Sequence, residues 1–330
     1  MTAVLQSPTR LTPPDNDPVC DFGVILPPDF RLASGERLSR PEIRLRVHGD
    51  PSMPAIVAAG GISAGRCVGD HAAGEGWWRD IVRVGGAVDL SKFCVIGFDF
   101  LPNPGETART VTSGDQARAL AFALEKINVA RLHAFVGASY GGMVALAFAA
   151  RFPQRLEKLC VLSAADRPHP AATALRGIQR RIVEFGRRLG APGEGVSLAR
   201  QLAMVTYRTP EEFKQRFDSA PGAAAGDPYG VCAYLIARGD AYDMAPERFV
   251  TLSDSIDRHA VDPAEIQTPA LFLAATTDRL APSEDIRRLA ASVADGAYFE
   301  FASLYGHDAF LKEAAVIGPV IQKFIEEKQP

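Results

Sequence analysis

The segment LHAFVGASYGGMVALAFAARF (132–152) gives the strongest indication of the fold. Its first part, LHAFVGAS (132–139), is an apolar run that predicts a buried strand, and YGGMVALAFAARF (140–152) has the small and apolar residues of a packed helix. GASYG (137–141) joins the two and fits the pattern G-x-S-x-G. A strand, a sharp turn and a helix in this order expose a serine hydroxyl above the sheet. We therefore predict that Ser139 is a nucleophile held on a strained turn.

Nucleotide-binding turns between a strand and a helix carry different patterns. A phosphate-binding loop needs Gly-Lys-Ser/Thr and a dinucleotide-binding loop needs G-x-G-x-x-G, and GASYG (137–141) has neither. A glycine-rich connection between strand and helix, with no chemistry, remains the alternative.

Similar apolar runs recur on both sides of this segment. They predict strands at RLRVHG (44–49), AIVAAGG (55–61), FCVIGFDF (93–100), LEKLCVLSAA (156–165), ALFLAATTD (270–278) and AYFEFAS (297–303). Helical patterns are found at SGDQARALAFALEKI (113–127), SEDIRRLAASVA (283–294) and DAFLKEAAVIGPVIQKFIEE (308–327). Strands alternating with helices predict a mostly parallel, doubly wound sheet, and with the serine turn they predict the α/β-hydrolase fold.

The alternation of strands and helices stops in the middle of the chain. Residues 168–261 have helical periodicity and no convincing strand, which predicts a helical cap inserted between two strands. Residues 21–167 and 262–330 would then form the core. Residues 1–20 are expected to be a disordered, proline-rich leader. A cap in this position would cover the carboxyl ends of the strands, where open α/β sheets bind their ligands.

Composition excludes several classes of protein. Lys and Arg number 36 against 39 Asp and Glu, so the formal charge of -3 does not suggest a nucleic-acid partner. No apolar run approaches the roughly 20 residues that cross a bilayer. The 5 cysteines have neither metal-ligand spacing nor a disulfide framework. We expect a cytoplasmic enzyme without a metal.

A serine nucleophile needs a base, and its base needs an orienting acid. In this fold the order along the chain is serine, acid, histidine, and His307, in the loop SLYGHDAF, is the histidine that follows the last predicted strand. Asp278 comes directly after ALFLAATT and is the favoured acid. Asp166, which follows an earlier strand, is the alternative acid. Each aspartate could also serve simply as a helix N-cap.

The oxyanion of an acyl-transfer intermediate needs two N–H donors. The backbone N–H of Tyr140, which follows the nucleophile, is the first candidate. The second is expected in the loop after the strand AIVAAGG, and we select the Ile62 N–H. The double glycine Gly60-Gly61 there is also compatible with a tight turn only.

These residues occur in segments that resemble a particular family, the homoserine O-acyltransferases of the α/β-hydrolase fold. The similarity extends from about residue 55 to the C-terminus, and the acid and histidine loops are its most specific parts. The resembling segments are GWW (76–78), GGAVDLSKFCVI (85–96), SYGGM (139–143), ARQLAMVTYRTPEEFKQRF (199–217), YLIARGDAYDMAPERFVTLSDSIDRHAVD (234–262), TTDRLAP (276–282) and YGHDAFL (305–311).

The resemblance implies roles for three more residues. Arg200 would bind the carboxylate of an amino acid as a bidentate fork, and Asp308 would accept its ammonium. Tyr207, two helical turns after Arg200, matches a family position that faces the active site. Taken without the resemblance, these residues are an exposed cap arginine, a helix-starting aspartate and a core tyrosine.

The chain also departs from the family pattern. Tyr140 stands where the family usually carries Met, FDFLPNPGETA (98–108) replaces a longer Asn- and Gly-rich segment, and GGISAGR (60–66) replaces a His-Ala-Leu-Thr-Gly run of acetyl-using members. Arg66 in this loop would pair with the free carboxylate of a succinyl group, whereas acetyl has no such charge. The alternative is a surface arginine or a phosphate contact. The expected donor is therefore succinyl-CoA, with acetyl-CoA as the alternative.

The resemblance implies an enzyme of methionine biosynthesis that moves an acyl group from acyl-CoA, its co-substrate, to the side-chain hydroxyl of L-homoserine. It would use a Ser139 acyl-enzyme, no bound cofactor, and a homodimer formed through the cap. Arginines in LRGIQRRIVEFGRR (175–188) are expected on a solvated helix face, with CoA phosphates as the alternative. Serine O-acyltransfer, ester or thioester hydrolysis, and a non-catalytic receptor on the same fold are the competing functions.

Overall fold

The computed structural model describes residues 9–11, 20–72, 74–222 and 229–327. Strands within these residues, numbered in chain order, are Thr9–Leu11 (β1), Cys20–Ile25 (β2), Glu42–His48 (β3), Ala55–Ala59 (β4), Val82–Arg83 (β5), Val88–Asp89 (β6), Cys94–Phe98 (β7), Ala134–Ala138 (β8), Leu159–Leu162 (β9), Ala270–Ala275 (β10) and Gly296–Phe301 (β11). Helices are Ser113–Lys126 (α1), Tyr140–Arg151 (α2), Pro170–Arg188 (α3), Pro192–Tyr207 (α4), Pro210–Arg216 (α5), Gly230–Asp240 (α6), Pro246–Asp257 (α7), Ser283–Ser292 (α8), Ala309–Lys312 (α9) and Ala314–Glu326 (α10).

The main sheet contains nine strands in the order β1-β2-β3-β7-β4-β8-β9-β10-β11. The first three strands pair antiparallel, and β3 also pairs antiparallel with β7. From β7 to β11 every pairing is parallel. The predicted mostly parallel sheet is therefore observed, with β8 and its serine turn near its centre.

Helices cover both faces of the sheet, and the pleat of each strand separates the two cores. In β4, Val57 and Ala59 belong to one apolar cluster, whereas Ile56 and Ala58 belong to the other. The first cluster includes residues of α1, α2 and α8, and the second includes Ile317 of α10. Strands buried on both faces have no polar side, which explains the continuous apolar runs in the sequence.

Between β9 and β10 the described residues form only helices, α3 to α7, and short connections. Helices α3, α4 and α7 share a small apolar core of Val183, Val196, Ala199 and Phe249. Gly186 and Gly195 let α3 and α4 approach closely, since a Cβ on Gly186 would lie 2.8 Å from the Gly195 Cα. Burying each large apolar side chain here contributes about 1.5–3 kcal/mol, so the segment has its own packing energy.

The helical segment is fastened to the sheet through α7. Nε and Nη2 of Arg248 donate to the carbonyls of Pro102 and Phe100, each at 2.9 Å. These carbonyls lie just beyond β7. The segment therefore covers the carboxyl edge of the parallel strands.

The structure corrects the sequence predictions at both ends of the chain. The expected disordered leader over residues 1–20 is wrong for Thr9–Leu11, which forms β1 and pairs with β2. Apart from these residues and Cys20, the leader lies outside the described residues. The single helix expected over 308–327 is divided at Glu313, whose carboxylate accepts a 2.8 Å hydrogen bond from the Ser303 hydroxyl.

Within the described residues, no helix is long and apolar enough to span a membrane.

Candidate active site

Ser139 occupies the turn between β8 and α2 with φ 54° and ψ -124°. A non-glycine residue at positive φ costs on the order of 1–3 kcal/mol and persists only where its surroundings enforce it. The neighbouring glycines make the turn possible, because a Cβ on Gly137 would lie 2.5 Å from the Gly141 carbonyl oxygen. Gly141 in turn packs directly on the backbone of Ala59. The strain predicted from the sequence is thus present, and it presents the serine hydroxyl to the cavity above β8.

A continuous chain of hydrogen bonds links Ser139 to a histidine and an aspartate. Its Oγ lies 2.8 Å from Nε2 of His307, and Nδ1 of His307 lies 2.8 Å from Oδ2 of Asp278. The other carboxylate oxygen, Oδ1, accepts the backbone N–H groups of Leu280 and Ala281. His307 and Asp278 are only 8% and 4% exposed, so this arrangement is shielded from bulk water.

The alternative acid, Asp166, has different partners. Its carboxylate pairs with Nε of Arg167 at 2.7 Å and with Nη2 of Arg288 at 3.1 Å. The structure therefore brings Asp278, and not Asp166, to the histidine.

The environment of His307 acts on its pKa in two directions. Burial disfavours the charged imidazolium, but the negative charge of Asp278 and its hydrogen bond outweigh burial and raise the pKa of His307 above its usual value. An imidazole whose protonated form is stabilised by a carboxylate is suited to take a proton from Ser139 and return it later.

Ile62 and Tyr140, whose backbone N–H groups are the predicted oxyanion donors, both line the cavity beside Ser139. The loop that carries Ile62 is joined to α2 by a 2.8 Å hydrogen bond from the Gly141 N–H to the Gly60 carbonyl. The phenol of Tyr140 is fully buried, 2.6 Å from the Ser255 hydroxyl. Burial raises the pKa of Tyr140 to about 12, so this phenol stays protonated and has a packing role.

Arg200, Tyr207 and Asp308 line the same cavity. The Arg200 guanidinium carbon lies 5.4 Å from the ring centre of Tyr207 and 4.5 Å from that of Tyr242, so two aromatic faces fix its position. The ring of Tyr207 is 6.0 Å from that of His307. The structure thus brings together the three residues that the family resemblance indicates.

Asp308 is held beside a buried arginine. Its Oδ2 lies 3.4 Å from Nε of Arg208. Burial raises the pKa of Asp308, and the positive charges of His307, Arg208, Arg200 and Lys312 offset part of this effect. A cationic group bound beside this carboxylate would favour its charged form.

The structure does not place Arg66 in the cavity, so its expected contact with an acyl carboxylate is wrong. Its Nη1 lies 2.6 Å from Oδ2 of Asp99, and its Nε lies 3.2 Å from Oδ1 of Asp21. Two carboxylates already satisfy this guanidinium. Asp21 belongs to β2, a strand that the apolar runs of the sequence do not predict.

Arg176 of α3 is a cavity residue that the sequence prediction misses. The arginines of segment 175–188 are predicted to face solvent, yet the side chain of Arg176 is only 12% exposed. The available signal is helical spacing, because Arg176 and Gln179 are three residues apart on one face and both line the cavity.

The fold and the contacts of Ser139, His307 and Asp278 define the class as an α/β-hydrolase-fold protein with a serine, a histidine and an aspartate linked by hydrogen bonds. A family model described as the alpha/beta hydrolase fold matches residues 69–314. The homoserine O-acetyltransferase of Bacillus anthracis superimposes with a TM-score of 0.85 at 15% identity, covering 94% of this chain and 98% of that chain. Esterase E22 superimposes with a TM-score of 0.84 at 18% identity, covering 93% of this chain and 100% of that chain. The predicted fold class is confirmed.

Relatives found by sequence indicate a narrower family than these structural neighbours do. The chain is 40% identical over 289 residues to a homoserine O-succinyltransferase of Xanthomonas campestris, covering 85% of this chain and 78% of the relative. It is 31% identical over 284 residues to a homoserine O-acetyltransferase of Thermus thermophilus, covering 76% of this chain and 72% of the relative. The chain belongs to the homoserine O-acyltransferase family, as the resembling segments predict.

Proposed function

We propose that this enzyme transfers a succinyl group from succinyl-CoA to the side-chain hydroxyl of L-homoserine through an ester on Ser139. One observation carries the proposal. The hydrogen-bonded chain from Ser139 through His307 to Asp278 opens into a cavity of about 260 Å³ that also contains Arg200 and Asp308. Nucleophile, base and a pair of opposite charges suited to an amino acid therefore share one enclosed space.

The first half-reaction forms the acyl-enzyme. Nε2 of His307 takes the proton of the Ser139 hydroxyl while Oγ attacks the thioester carbonyl carbon. The N–H groups of Ile62 and Tyr140 are assigned to the oxyanion. The carbon–sulfur bond then breaks, and the CoA thiolate leaves with the proton that His307 had accepted.

The second half-reaction transfers the acyl group. Arg200 binds the carboxylate of homoserine and Asp308 binds its ammonium, which directs the side-chain hydroxyl toward the ester. His307 removes the hydroxyl proton, the new oxygen–carbon bond forms, and the bond between Oγ of Ser139 and the acyl carbon breaks. His307 returns the proton to Ser139, so the enzyme is regenerated without a bound cofactor.

Water competes with homoserine for the same ester. Helices α3, α4 and α7 support transfer over hydrolysis because they contribute much of the cavity lining and cover the carboxyl edge of the sheet. We interpret this segment, within residues 168–261, as the cap of the enzyme.

The choice of a succinyl donor is supported by the 40% identical homoserine O-succinyltransferase. Acetyl transfer is the alternative, since relatives at 31% identity are homoserine O-acetyltransferases. Either donor would serve methionine biosynthesis, and a cytoplasmic location stays a prediction from the cysteine pattern.

We also propose that two copies associate through the cap. Exposed apolar side chains occur along its first two helices: Phe185 on α3, Leu189 directly after α3, and Leu198 and Val205 on α4, each between 45% and 66% exposed. Apolar patches of this kind mark protein interfaces.

Mass spectrometry of the intact protein tests the reaction. Mixing with succinyl-CoA is expected to add one succinyl group, which L-homoserine then removes as an O-succinyl amino acid. Ser139→Ala is the control and should form no adduct. Release of free succinate in the presence of homoserine would instead indicate a hydrolase, and removal of the adduct by serine but not by homoserine would change the acceptor.

A further inference from the structure

One side of the cavity carries two polar side chains that have no hydrogen-bond partner among the described residues. Ser163, just after β9, is 3% exposed, and Gln179 of α3 is 5% exposed. Both line the cavity that contains Ser139. The hydroxyl of Ser163 and the amide of Gln179 are not among the buried polar atoms that lack a partner, so they are accessible from the cavity and can bind a polar ligand there.

Arg176 adds a positive charge to the same side. Its Nε and Nη2 lie 2.8 Å and 2.7 Å from Oδ1 of Asp257, while Nη1 of Arg180 lies 2.6 Å from Oδ2. Asp257 is therefore shared by two guanidinium groups, and the three side chains together keep one net positive charge. Nη1 of Arg176 has no partner within the described part of the chain.

The strand order places these groups on a defined side of the nucleophile. β8 has β4 as one neighbour and β9 as the other. The oxyanion loop follows β4, whereas Ser163 follows β9, and the Ser139 N–H donates to the Leu162 carbonyl at 2.9 Å. An acyl group on Ser139 thus has its carbonyl oxygen directed toward one strand end and its chain free to extend toward the other. The three carbon–carbon bonds of a succinyl group, about 1.5 Å each, reach roughly as far as the spacing of neighbouring strands.

The charged side chains of the cavity can be matched to the charged groups of the substrates. Besides His307, the charged side chains that line the cavity within the described residues are Arg176, Arg200 and Asp308. Homoserine brings one carboxylate and one ammonium, which match Arg200 and Asp308. Arg176 then remains for a second carboxylate, which a succinyl group has and an acetyl group lacks.

We propose that Ser163, Arg176 and Gln179 form a subsite that binds the terminal carboxylate of the acyl group on Ser139 and thereby selects a dicarboxylic donor. This inference rests on the proposed function and names the specificity-determining residues of its donor. Arg176 supplies the charge, and the amide of Gln179 and the hydroxyl of Ser163 supply neutral donors. The subsite takes over the role that the sequence pattern assigns to Arg66.

The test measures kcat/KM for Ser139 acylation with succinyl-CoA and with acetyl-CoA, without any acceptor. Arg176→Met is expected to lower the succinyl value roughly 10- to 100-fold, because a charge-assisted hydrogen bond is lost, and to change the acetyl value less than about threefold. Arg181→Met is the matched control, since Arg181 lies on the same helix but is exposed and does not line the cavity. It should leave the ratio of the two donors unchanged.

Equal losses with both donors, an unchanged donor ratio in Arg176→Met, or an acetyl preference of the unmodified enzyme would each overturn the subsite. Gln179→Leu, which keeps the Arg176–Asp257 contact, carries the test if Arg176→Met does not fold. Because acylation is measured without homoserine, a failure of the acceptor assignment leaves this result readable. An enzyme that forms the succinyl adduct but does not pass it to homoserine would refute the proposed function and not the subsite.

Discussion

Oγ of Ser139 lies 2.8 Å from Nε2 of His307, although 168 positions separate the two residues in the chain. One side chain comes from the turn after β8 and the other from the loop after β11, so the sheet itself sets this distance. Proton transfer between them needs no rearrangement of either loop. This relationship makes the chemistry of the site open to direct tests.

Replacing the orienting acid should separate chemistry from folding. Asp278→Asn is expected to slow Ser139 acylation by roughly 10⁴-fold, because the amide no longer fixes the productive tautomer of His307. Rapid-quench mass spectrometry of the acyl-enzyme measures this rate. Asp166→Asn is the control, and its acylation rate should stay near that of the unmodified protein. A larger loss for Asp166→Asn than for Asp278→Asn would show that Asp166 is the orienting acid.

The pH dependence of acylation should report the raised pKa of His307. The base must be neutral to accept the serine proton, so the acylation rate should fall as pH decreases through a pKa above the ordinary value of 6.5. In Asp278→Asn the fall of the residual acylation rate should shift to lower pH, since the carboxylate that favours the imidazolium is gone. A limb below the ordinary histidine pKa in the unmodified enzyme would contradict the described electrostatics.

Substitutions at the amino-acid end should affect the second half-reaction. Arg200→Met and Asp308→Asn are each expected to lower kcat/KM for homoserine roughly 10- to 100-fold, because each removes a charge-assisted contact. The assay follows decay of the preformed Ser139 ester at increasing homoserine concentration. Acylation by succinyl-CoA is the internal reference and should change much less. If ester decay in both variants depends on homoserine concentration as it does in the unmodified enzyme, these residues do not bind the acceptor.

Arg66 should prove structural. Arg66→Ala is expected to leave the ratio of succinyl to acetyl turnover unchanged while lowering the free energy of unfolding by about 1–2 kcal/mol, since Asp99 and Asp21 lose a cationic partner. Urea denaturation and the two-donor assay measure the two quantities. A selective loss of succinyl turnover would return Arg66 to the active site.

The proposed dimer can be tested at its apolar patch. Leu189→Glu combined with Leu198→Glu should shift the protein from dimer to monomer, because both side chains are more than half exposed and would bring like charges into the interface. Light scattering after size-exclusion chromatography gives the mass. Val84→Glu, at an apolar residue that is 69% exposed and outside the cap, is the control. A monomeric unmodified protein would refute the dimer.

The architecture and the chain order of the reacting groups follow from local patterns in the amino-acid sequence. Continuous apolar runs, the glycines around Ser139 and the loops carrying Asp278 and His307 are local patterns. Each is set by burial or by backbone geometry within a few residues, so each can be recognised without knowing its distant contacts. The family resemblance added Arg200, Tyr207 and Asp308 for the same reason, because their segments are distinctive as short motifs.

The contacts of the remaining charged groups depend on how distant segments pack in the folded protein. Arg66 and Arg176 are both arginines near functional segments, yet one is held by Asp21 and Asp99 and the other lines the cavity. The strand that brings Asp21 to Arg66 and the helix that brings Asp257 to Arg176 are distant in sequence. A guanidinium takes whichever carboxylates the packed chain places within a few ångströms, and that proximity is a property of the assembled fold and not of the neighbouring residues.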